Sequence, residues 1–467
     1  MVSADKILKQ ALKKIRPSPE EKRQMKKALD NIIDISKPIA KKFNARPMIC
    51  GSSIKNTWLA GRNEFDLFIL FPKSLPKTKL KDYGLAVGKE IIESLKGKYV
   101  IAYAEHPYLR GKLRYEGTDY DIDIVPAFDV KDPTKIKSSV DRTPHHVDFV
   151  KKNMQLSDEA RLLKGFTKGI RVYGADVKTQ GFSGYLCELL SINYGRFKNC
   201  IKDAATWRAP IVISINTKIK KEEAYKKFKA PLIVIDPVDP NRNVAAAVSV
   251  ESFYNFVSGC KDFLKNPSSK YFFPDRIKPY TLSEISKEIR KRGTRWYMIK
   301  FKRPDVIDDT LWPQLRRSLN TIEKKLEESG FRTIRKDAWA DDKLCVLAFE
   351  TDIWLVPRIM KNIGPNVYSK HAENFLKHYN EYKIFIEGDN WVVEKEREFI
   401  TAYDLLKHLL KGSAEDLKKR GIPSKLTENM TKSRVISGPD VVRSIGDLPV
   451  EFRVFMKEWF ERDIDLQ

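Results

Sequence analysis

Two short segments constrain this chain more than any other feature. In Glu64-Phe65-Asp66-Leu67-Phe68-Ile69-Leu70-Phe71, acids precede an apolar run. In Asp119-Tyr120-Asp121-Ile122-Asp123-Ile124-Val125, acids and apolar residues alternate. A period of two is the signature of a β-strand with one buried face. Residues two apart in a strand share a face at a spacing of about 6.5–7 Å. Glu64 and Asp66 therefore project together, and so do Asp119, Asp121 and Asp123. Set side by side, the two strands concentrate like charge in one patch, which is costly unless a cation neutralises it. Paired Mg²⁺ ions held by such carboxylates serve in-line phosphoryl and nucleotidyl transfer. The bland alternative is an amphipathic strand with a solvated acidic face.

A Gly51-Ser52 pair lies a dozen residues upstream of the first acidic strand, at an expected helix start. Gly51 allows close approach of backbone amides and Ser52 adds a hydroxyl, a combination suited to triphosphate oxygens. Other phosphate and metal signatures are missing: the sequence has no GxxxxGK[ST], GxGxxG or HExxH. Five scattered cysteines (Cys50, Cys187, Cys200, Cys260, Cys345) form no CxxC pair, which argues against a disulfide scaffold or a cysteine zinc site and for a reducing cytoplasm. No run approaches the roughly 18 apolar residues of a membrane span. The first residues, Met1-Val2-Ser3-Ala4-Asp5-Lys6, lack the apolar stretch of a signal peptide. Lys and Arg number 87 against 62 Asp and Glu, a net charge of +25. The excess lies in folded-looking segments such as 218–229 and 411–432. A polyanionic partner, most simply a structured nucleic acid, is expected.

Length alone predicts several domains in 467 residues. Helices are expected over Ile7–Ile15 and from a Ser18-Pro19-Glu20-Glu21 capping box onward. Strands are expected at Pro47–Cys50, Glu64–Phe71, Val100–Ala104 and Tyr120–Val125, with a helix near Gly84–Leu95. The segment from Ser157 to Asn199 reads as helical. A strand at Leu232–Ile235 leads into an Asp236-Pro237-Val238-Asp239-Pro240 loop, followed by a helix near Ser249–Leu264. Further on, a strand at Trp296–Phe301 is followed by a helix carrying Leu311, Leu315, Leu319, Ile322 and Leu326. That helix is expected to be capped by Asp308 or Asp309 and stopped at Gly330. Strands near Phe331–Arg335 and Leu344–Glu350 complete a β-α-β-β order. It suggests a ferredoxin-like, RNA-recognition-type sandwich. A hairpin (Lys383–Ile386, Trp391–Val393) and short helices follow. The Trp residues at 296, 312, 339 and 354 are expected in cores rather than as base-stacking platforms.

Beyond these patterns the residues resemble a known family. Gly51-Ser52-Ser53-Ile54-Lys55-Asn56-Thr57-Trp58-Leu59, Glu64-Phe65-Asp66-Leu67-Phe68 and Asp121-Ile122-Asp123-Ile124-Val125-Pro126 are similar to the core of the archaeal (class I) CCA-adding enzymes. These are tRNA nucleotidyltransferases of the polymerase-β superfamily. The likeness continues through Val140-Asp141-Arg142-Thr143-Pro144-His145-His146, Arg161 to Phe166, Val172 to Ala175, Gly181 to Leu189 and Asp236 to Ala245. Fainter likeness reaches Arg303-Pro304-Asp305, Trp312 to Leu315 and Gly364-Pro365.

The resemblance implies an α+β multidomain protein. A polymerase-β-type head with a mixed sheet would occupy residues 1–145, and a largely helical neck residues 146–265. A C-terminal body and tail (266–467) would hold α/β RNA-binding subdomains. It implies template-independent addition of C, C and A to a tRNA 3′ end from CTP and ATP, with Mg²⁺ in a two-ion site on Glu64, Asp66 and Asp123. Gly51, Ser52, Lys55, Thr143, His146, Lys164 and Tyr173 would hold the nucleotide, and Arg242 would take part in choosing CTP and ATP. Lys55 stands where close relatives carry Arg, turning a bidentate phosphate contact into a point charge. The partners implied are the tRNA acceptor and T-arm, with no membrane and a cytoplasmic setting; a homodimer is left open. The rival readings are another RNA terminal nucleotidyltransferase (poly(A) or poly(U) polymerase, oligoadenylate synthetase) and a non-catalytic structured-RNA-binding protein.

Overall fold

Ser18 sets the first long element. Its hydroxyl accepts from Glu21 N at 3.1 Å while the Glu21 carboxylate accepts from Ser18 N at 2.7 Å, the reciprocal capping box read from the sequence. The computed structural model describes residues 4–103, 106–216 and 219–461; Met1, Val2, Ser3, Ala104 and Lys218, which enter the sequence reading, lie outside them. In chain order the first elements are α1 (Ala4–Ile15), α2 (Pro19–Lys42), β1 (Arg46–Cys50), α3 (Gly51–Ile54), β2 (Glu64–Pro72), α4 (Lys77–Ser94), β3 (Lys98–Tyr103), β4 (Pro107–Tyr115) and β5 (Thr118–Asp129). The five strands form one mixed sheet in the order β1-β2-β5-β4-β3, with β2 and β5 parallel. Phe65, Leu67, Ile69, Ile122 and Ile124 point into a core shared with Leu80, Val87 and Ile91 of α4 and Met25, Leu29 and Ile32 of α2.

β4 was not expected. Its sequence alternates Leu109, Gly111 and Leu113 with Arg110, Lys112 and Arg114, and the cations stand opposite Asp123, Asp121 and Asp119 of β5. Most of the acidic patch anticipated on β5 is thus answered within the sheet by cross-strand pairs.

The next layer comprises α5 (Thr143–Asn153), α6 (Ser157–Gly169), α7 (Gly184–Tyr194), α8 (Phe197–Ala204), β6 (Ile211–Ser214), α9 (Lys221–Phe228), β7 (Leu232–Ile235) and α10 (Val250–Lys265). The segment from Ser157 to Asn199, expected to be helical, is three helices rather than one. Between α6 and α7 the chain runs as a loop in which Tyr173 bridges to Phe182. Arg171 at φ +61° and Gly174 at φ +131° take the backbone out of the helical region there. β6 lies parallel to β7. The core joins Leu163, Phe166, Phe182, Leu186, Leu190, Phe253 and Phe256 to Ile7, Leu8, Ala11 and Ile15 of α1.

Residues through Asp275 form one compact unit and those from Arg276 another. The second contains α11 (Leu282–Arg292), β8 (Arg295–Lys302), α12 (Asp308–Glu328), β9 (Arg332–Ala340), β10 (Leu344–Ile353), β11 (Ile359–Asn366), α13 (Ala372–His378), β12 (Lys383–Glu387), β13 (Asn390–Glu396), α14 (Ala402–Leu410), α15 (Ala414–Lys419), α16 (Ser424–Met430), β14 (Arg434–Ser437), α17 (Pro439–Gly446) and α18 (Val450–Glu461). The antiparallel sheet β14-β8-β10-β9 has the strand order of a ferredoxin-like sandwich, as the β-α-β-β reading suggested. Asp308 and Asp309 are not caps: Ile307 takes the N-cap position, and the two acids lie in the first turn, where they favour the helix dipole. Ser329 is the C-cap, and Gly330 follows at φ +89°. The expected hairpin is β12–β13, extended by β11 into a three-stranded sheet. Of the four Trp residues expected in cores, Trp296 and Trp312 are buried, whereas Trp339 and Trp354 are half-buried.

Candidate active site

The parallel register of β2 and β5 sets Asp66 directly beside Asp123, and Glu64 beside Asp121. Phe65 and Ile122, between them, are buried and anchor both strands. Cys50, the end of β1, pairs with Asp66 from the other side, so the chain turns at Gly51 against the Asp66 carboxylate. Gly51 has φ +79°, and a methyl group there would fall on Asp66 Oδ2 and lie 3.2 Å from its Cγ. Glycine is required at this point for two reasons: the backbone conformation, and the space taken by an acid. Sequence reading assigned Gly51 only to amide approach. The four-residue α3 that it opens carries Ser52, whose carbonyl accepts from Thr57 N at 3.0 Å.

Burial, then the neighbouring charges of Asp123 and Glu64, push the Asp66 carboxyl up to about 6, against the pull of Lys55. Asp123 accepts from Arg110 Nε at 3.1 Å, and Arg110 Nη2 in turn donates to Tyr108 Oη at 2.7 Å. Glu64 is exposed and paired with Arg62 at 2.7 Å. Among the described residues no three His, Cys, Asp or Glu side chains stand together as a ready-made cage for a metal ion. The register therefore brings Asp66 and Asp123 together, whereas Glu64, on the same face, is turned to Arg62.

A cavity of about 270 Å³ opens over the Asp66–Asp123 pair and is lined also by His106, Tyr108 and Thr143, the first residue of α5. His106 Nε2 is buried there without a hydrogen-bond partner among the described residues. A divalent cation fits this donor set. Two adjacent carboxylates, one with its pKa raised by burial and then by its neighbour's charge, gain most from an ion between them.

Lys55 and Lys164, expected to help hold the nucleotide, both meet Glu188, a wholly buried carboxylate on α7: Lys55 Nζ lies 2.5 Å from Oε2 and Lys164 Nζ 2.8 Å from Oε1. Lys164 also donates to Thr57 Oγ1 at 3.1 Å and Thr57 O at 3.2 Å, and Thr57 Oγ1 donates to Glu188. Burial opposes ionisation of Glu188, but Lys164 and Lys55 outweigh it and hold the group at about 2. Burial works against the charge on Lys164, Glu188 supports it, and the Lys55 ammonium acts on Asp66 as well as on Glu188. Tyr173 completes this corner: its hydroxyl and the Lys164 ammonium both border Gly184, and burial pushes its phenol up. Glu188 was missed in the sequence. The available signal was an acid inside the apolar run Leu186-Cys187-Glu188-Leu189-Leu190, which has to find cations wherever that run is buried.

The remaining expected residues gather on Asp236, also wholly buried. His146 Nε2 lies 2.8 Å from Oδ2, and Arg242 Nη1 donates to the same oxygen at 2.9 Å. Oδ1 accepts from Val238 N at 3.0 Å and from Tyr185 Oη at 3.3 Å. The His146 ring stacks on Tyr185 with centroids 4.1 Å apart, and Lys55 Nζ lies 5.7 Å from the centroid of the same Tyr185 ring. Burial holds the His146 imidazole below its ordinary value, although Asp236 favours its protonation. Lys55, Lys164, His146 and Arg242 are thus linked through Glu188, Tyr185 and Asp236, with Tyr173 beside Lys164 at Gly184.

The chain is similar to known proteins along most of its length. The family described as "tRNA nucleotidyltransferase, second domain" matches residues 158–273, and "CCA-adding enzyme, C-terminal domain" matches residues 292–436. A protein of Methanocaldococcus jannaschii named CCA-adding enzyme is 39% identical, covering 89% of this chain and 93% of its own length. Proteins of the same name from Archaeoglobus fulgidus and Methanosarcina barkeri are each 35% identical; the first covers 86% of this chain and 88% of its own length, the second 96% of each.

Proposed function

The chain belongs to the archaeal CCA-adding enzymes, and on that premise we propose how its residues divide the work of a tRNA nucleotidyltransferase that adds C, C and A from CTP and ATP. Residues 1–145 would catalyse, 146–265 would select the nucleotide, and 266–467 would grip the tRNA acceptor and T-arm. The observation that carries this reading is the Asp66–Asp123 pair in parallel register beneath the Gly51 turn.

Asp66 and Asp123, joined by Glu64 once it leaves Arg62, would hold two Mg²⁺, which when bound polarise the attacking oxygen and neutralise charge on the departing group. In the reaction the tRNA 3′-oxygen bonds to the α-phosphorus, the bond from that phosphorus to the bridging oxygen breaks, and pyrophosphate leaves. The Ser52 hydroxyl donates to triphosphate oxygens beside Gly51. The Lys55 ammonium lies behind them, where low dielectric strengthens its pull. Thr143 borders the sugar side of the cavity, and His146 and Tyr173 help hold the nucleotide. Arg242 presents planar donors to the base. Binding of tRNA draws on the net charge of +25, through phosphates and the shape of an A-form stem rather than base edges. A homodimer belongs to the same proposal and is tested by sedimentation of the full chain.

The test is incubation of tRNA trimmed of its 3′ end with CTP, ATP and Mg²⁺, followed by end-sequencing. The expected product ends in CCA; a long homopolymer tail would turn the reading toward a poly(A)- or poly(U)-polymerase activity. Asp66→Asn and Asp123→Asn should each bring addition below about a thousandth of its rate, with tRNA retardation on gels unchanged. Undiminished addition in either variant would refute the carboxylate assignment.

A further inference from the structure

Arg242 is held at both ends by one residue. Asp236 N donates to the Arg242 carbonyl at 3.1 Å, and the Asp236 carboxylate takes Arg242 Nη1 at 2.9 Å. Among the described residues Nη1 is the only guanidinium nitrogen of Arg242 that makes a hydrogen bond, and the side chain is 37% exposed, so Nε and Nη2 remain available to a ligand. The same carboxylate gathers His146 from α5 and Tyr185 from α7, and its Oδ1 closes the 236–243 loop through Val238 N. With four donors on its two oxygens, the acceptor capacity of Asp236 is filled. A long side chain with four rotatable bonds would otherwise lose its orientation, and with it the angle at which it meets a base.

We propose that Asp236 is a positioning residue for nucleotide choice: it fixes the plane in which Arg242 offers its remaining donors beside the His146–Tyr185 stack. This role rests on the reading of Arg242 as a selecting group. Cytosine N3 and adenine N1 are acceptors, whereas the equivalent uracil and guanine nitrogens carry hydrogen. Donors held at a fixed angle therefore favour the first pair and leave the second facing donor against donor, whereas a mobile guanidinium would turn to find other acceptors on either pair.

Asp236→Asn is the informative change because it is nearly isosteric. To keep Val238 N–H satisfied, the amide must leave its oxygen at the Oδ1 position. Its NH₂ then replaces Oδ2 and meets Arg242 Nη1, donor to donor, so the guanidinium turns away. The experiment measures kcat/KM for single addition of CMP and UMP to trimmed tRNA by the full chain. The variants are Asp236→Asn, Arg242→Lys, the double variant, and Tyr185→Phe. Tyr185→Phe removes only the hydroxyl contact to Oδ1 and serves if Asp236→Asn does not fold. The CTP over UTP preference should fall by roughly 10–100-fold in Asp236→Asn and in Arg242→Lys, with no further fall in the double variant, because both act through one group. Tyr185→Phe should lower the same preference by a smaller factor. An unchanged preference in Asp236→Asn, or in Tyr185→Phe where that variant stands in, with the preference lost in Arg242→Lys, overturns the positioning role and leaves the reading of Arg242 intact. An unchanged preference in Arg242→Lys overturns that reading and the proposal with it.

Discussion

Gly51→Ala should disable the site through a single methyl group. The residue sits at φ +79°, where an L side chain costs roughly 1–2 kcal/mol. The added Cβ would overlap Asp66 Oδ2 and lie 3.2 Å from its Cγ. To restore ordinary contact, the carboxylate must withdraw by roughly 1 Å, and misplacement on that scale costs about 100-fold in rate. Gly61 provides the matched control: its φ is +71°, and nothing lies within 4 Å of where its Cβ would stand. Gly61→Ala therefore meets only the backbone cost and should retain near-normal turnover. The assay is single-turnover CMP addition to trimmed tRNA at saturating CTP and Mg²⁺, with urea unfolding of both variants. The expected result is a kcat about 100-fold lower in Gly51→Ala alone, with a stability loss of roughly 1–2 kcal/mol in Gly61→Ala and a larger one in Gly51→Ala, which adds the overlap with Asp66. Equal kcat in the two variants would refute the idea that the turn is held against the Asp66 carboxylate.

Three further outcomes follow from the charges. Because Asp66 titrates near 6 without an ion, protons and Mg²⁺ compete for it. Mg²⁺ affinity by calorimetry should weaken about tenfold per pH unit below 6, and Asp66→Asn should abolish that dependence. The same shift means that the ion-free chain gains stability from this group as pH falls from about 6 toward the ordinary carboxylate range. In that window the folded state binds a proton that the unfolded state does not. In the second unit, Glu350 is wholly buried and accepts from Arg292 Nε at 2.5 Å, Thr294 Oγ1 at 2.6 Å and Trp459 Nε1 at 3.1 Å. Glu350→Ala takes the carboxylate from Arg292, whose side chain is 25% exposed, and from the Trp459 indole N–H, and denaturant unfolding should show a loss of about 1.5–3 kcal/mol; a loss below about 1 kcal/mol would contradict the pairing.

The sequence by itself determined the strands that carry Asp66 and Asp123, the capping box at Ser18, the strand at Leu232–Ile235 and the β-α-β-β order of the second unit. These are local properties: a period of two or 3.6, a cap, a turn residue, each written within a few neighbours. It also named the residues proposed to hold the nucleotide, because their motifs resemble a family. The long-range partners of those residues were not legible. Nothing near Lys55 or Lys164 announces Glu188, which lies 133 residues beyond Lys55, and Arg110 reaches Asp123 only because β4 enters the sheet beside β5. The tertiary structure decided which charges cancel. It showed that Glu64 turns to Arg62, that two lysines share one carboxylate, and that Gly51 is a glycine because an acid stands where a side chain would go. A strand pattern fixes the direction in which a side chain points, but the energy of a charge depends on what the fold packs against it, and that is set by residues far away along the chain.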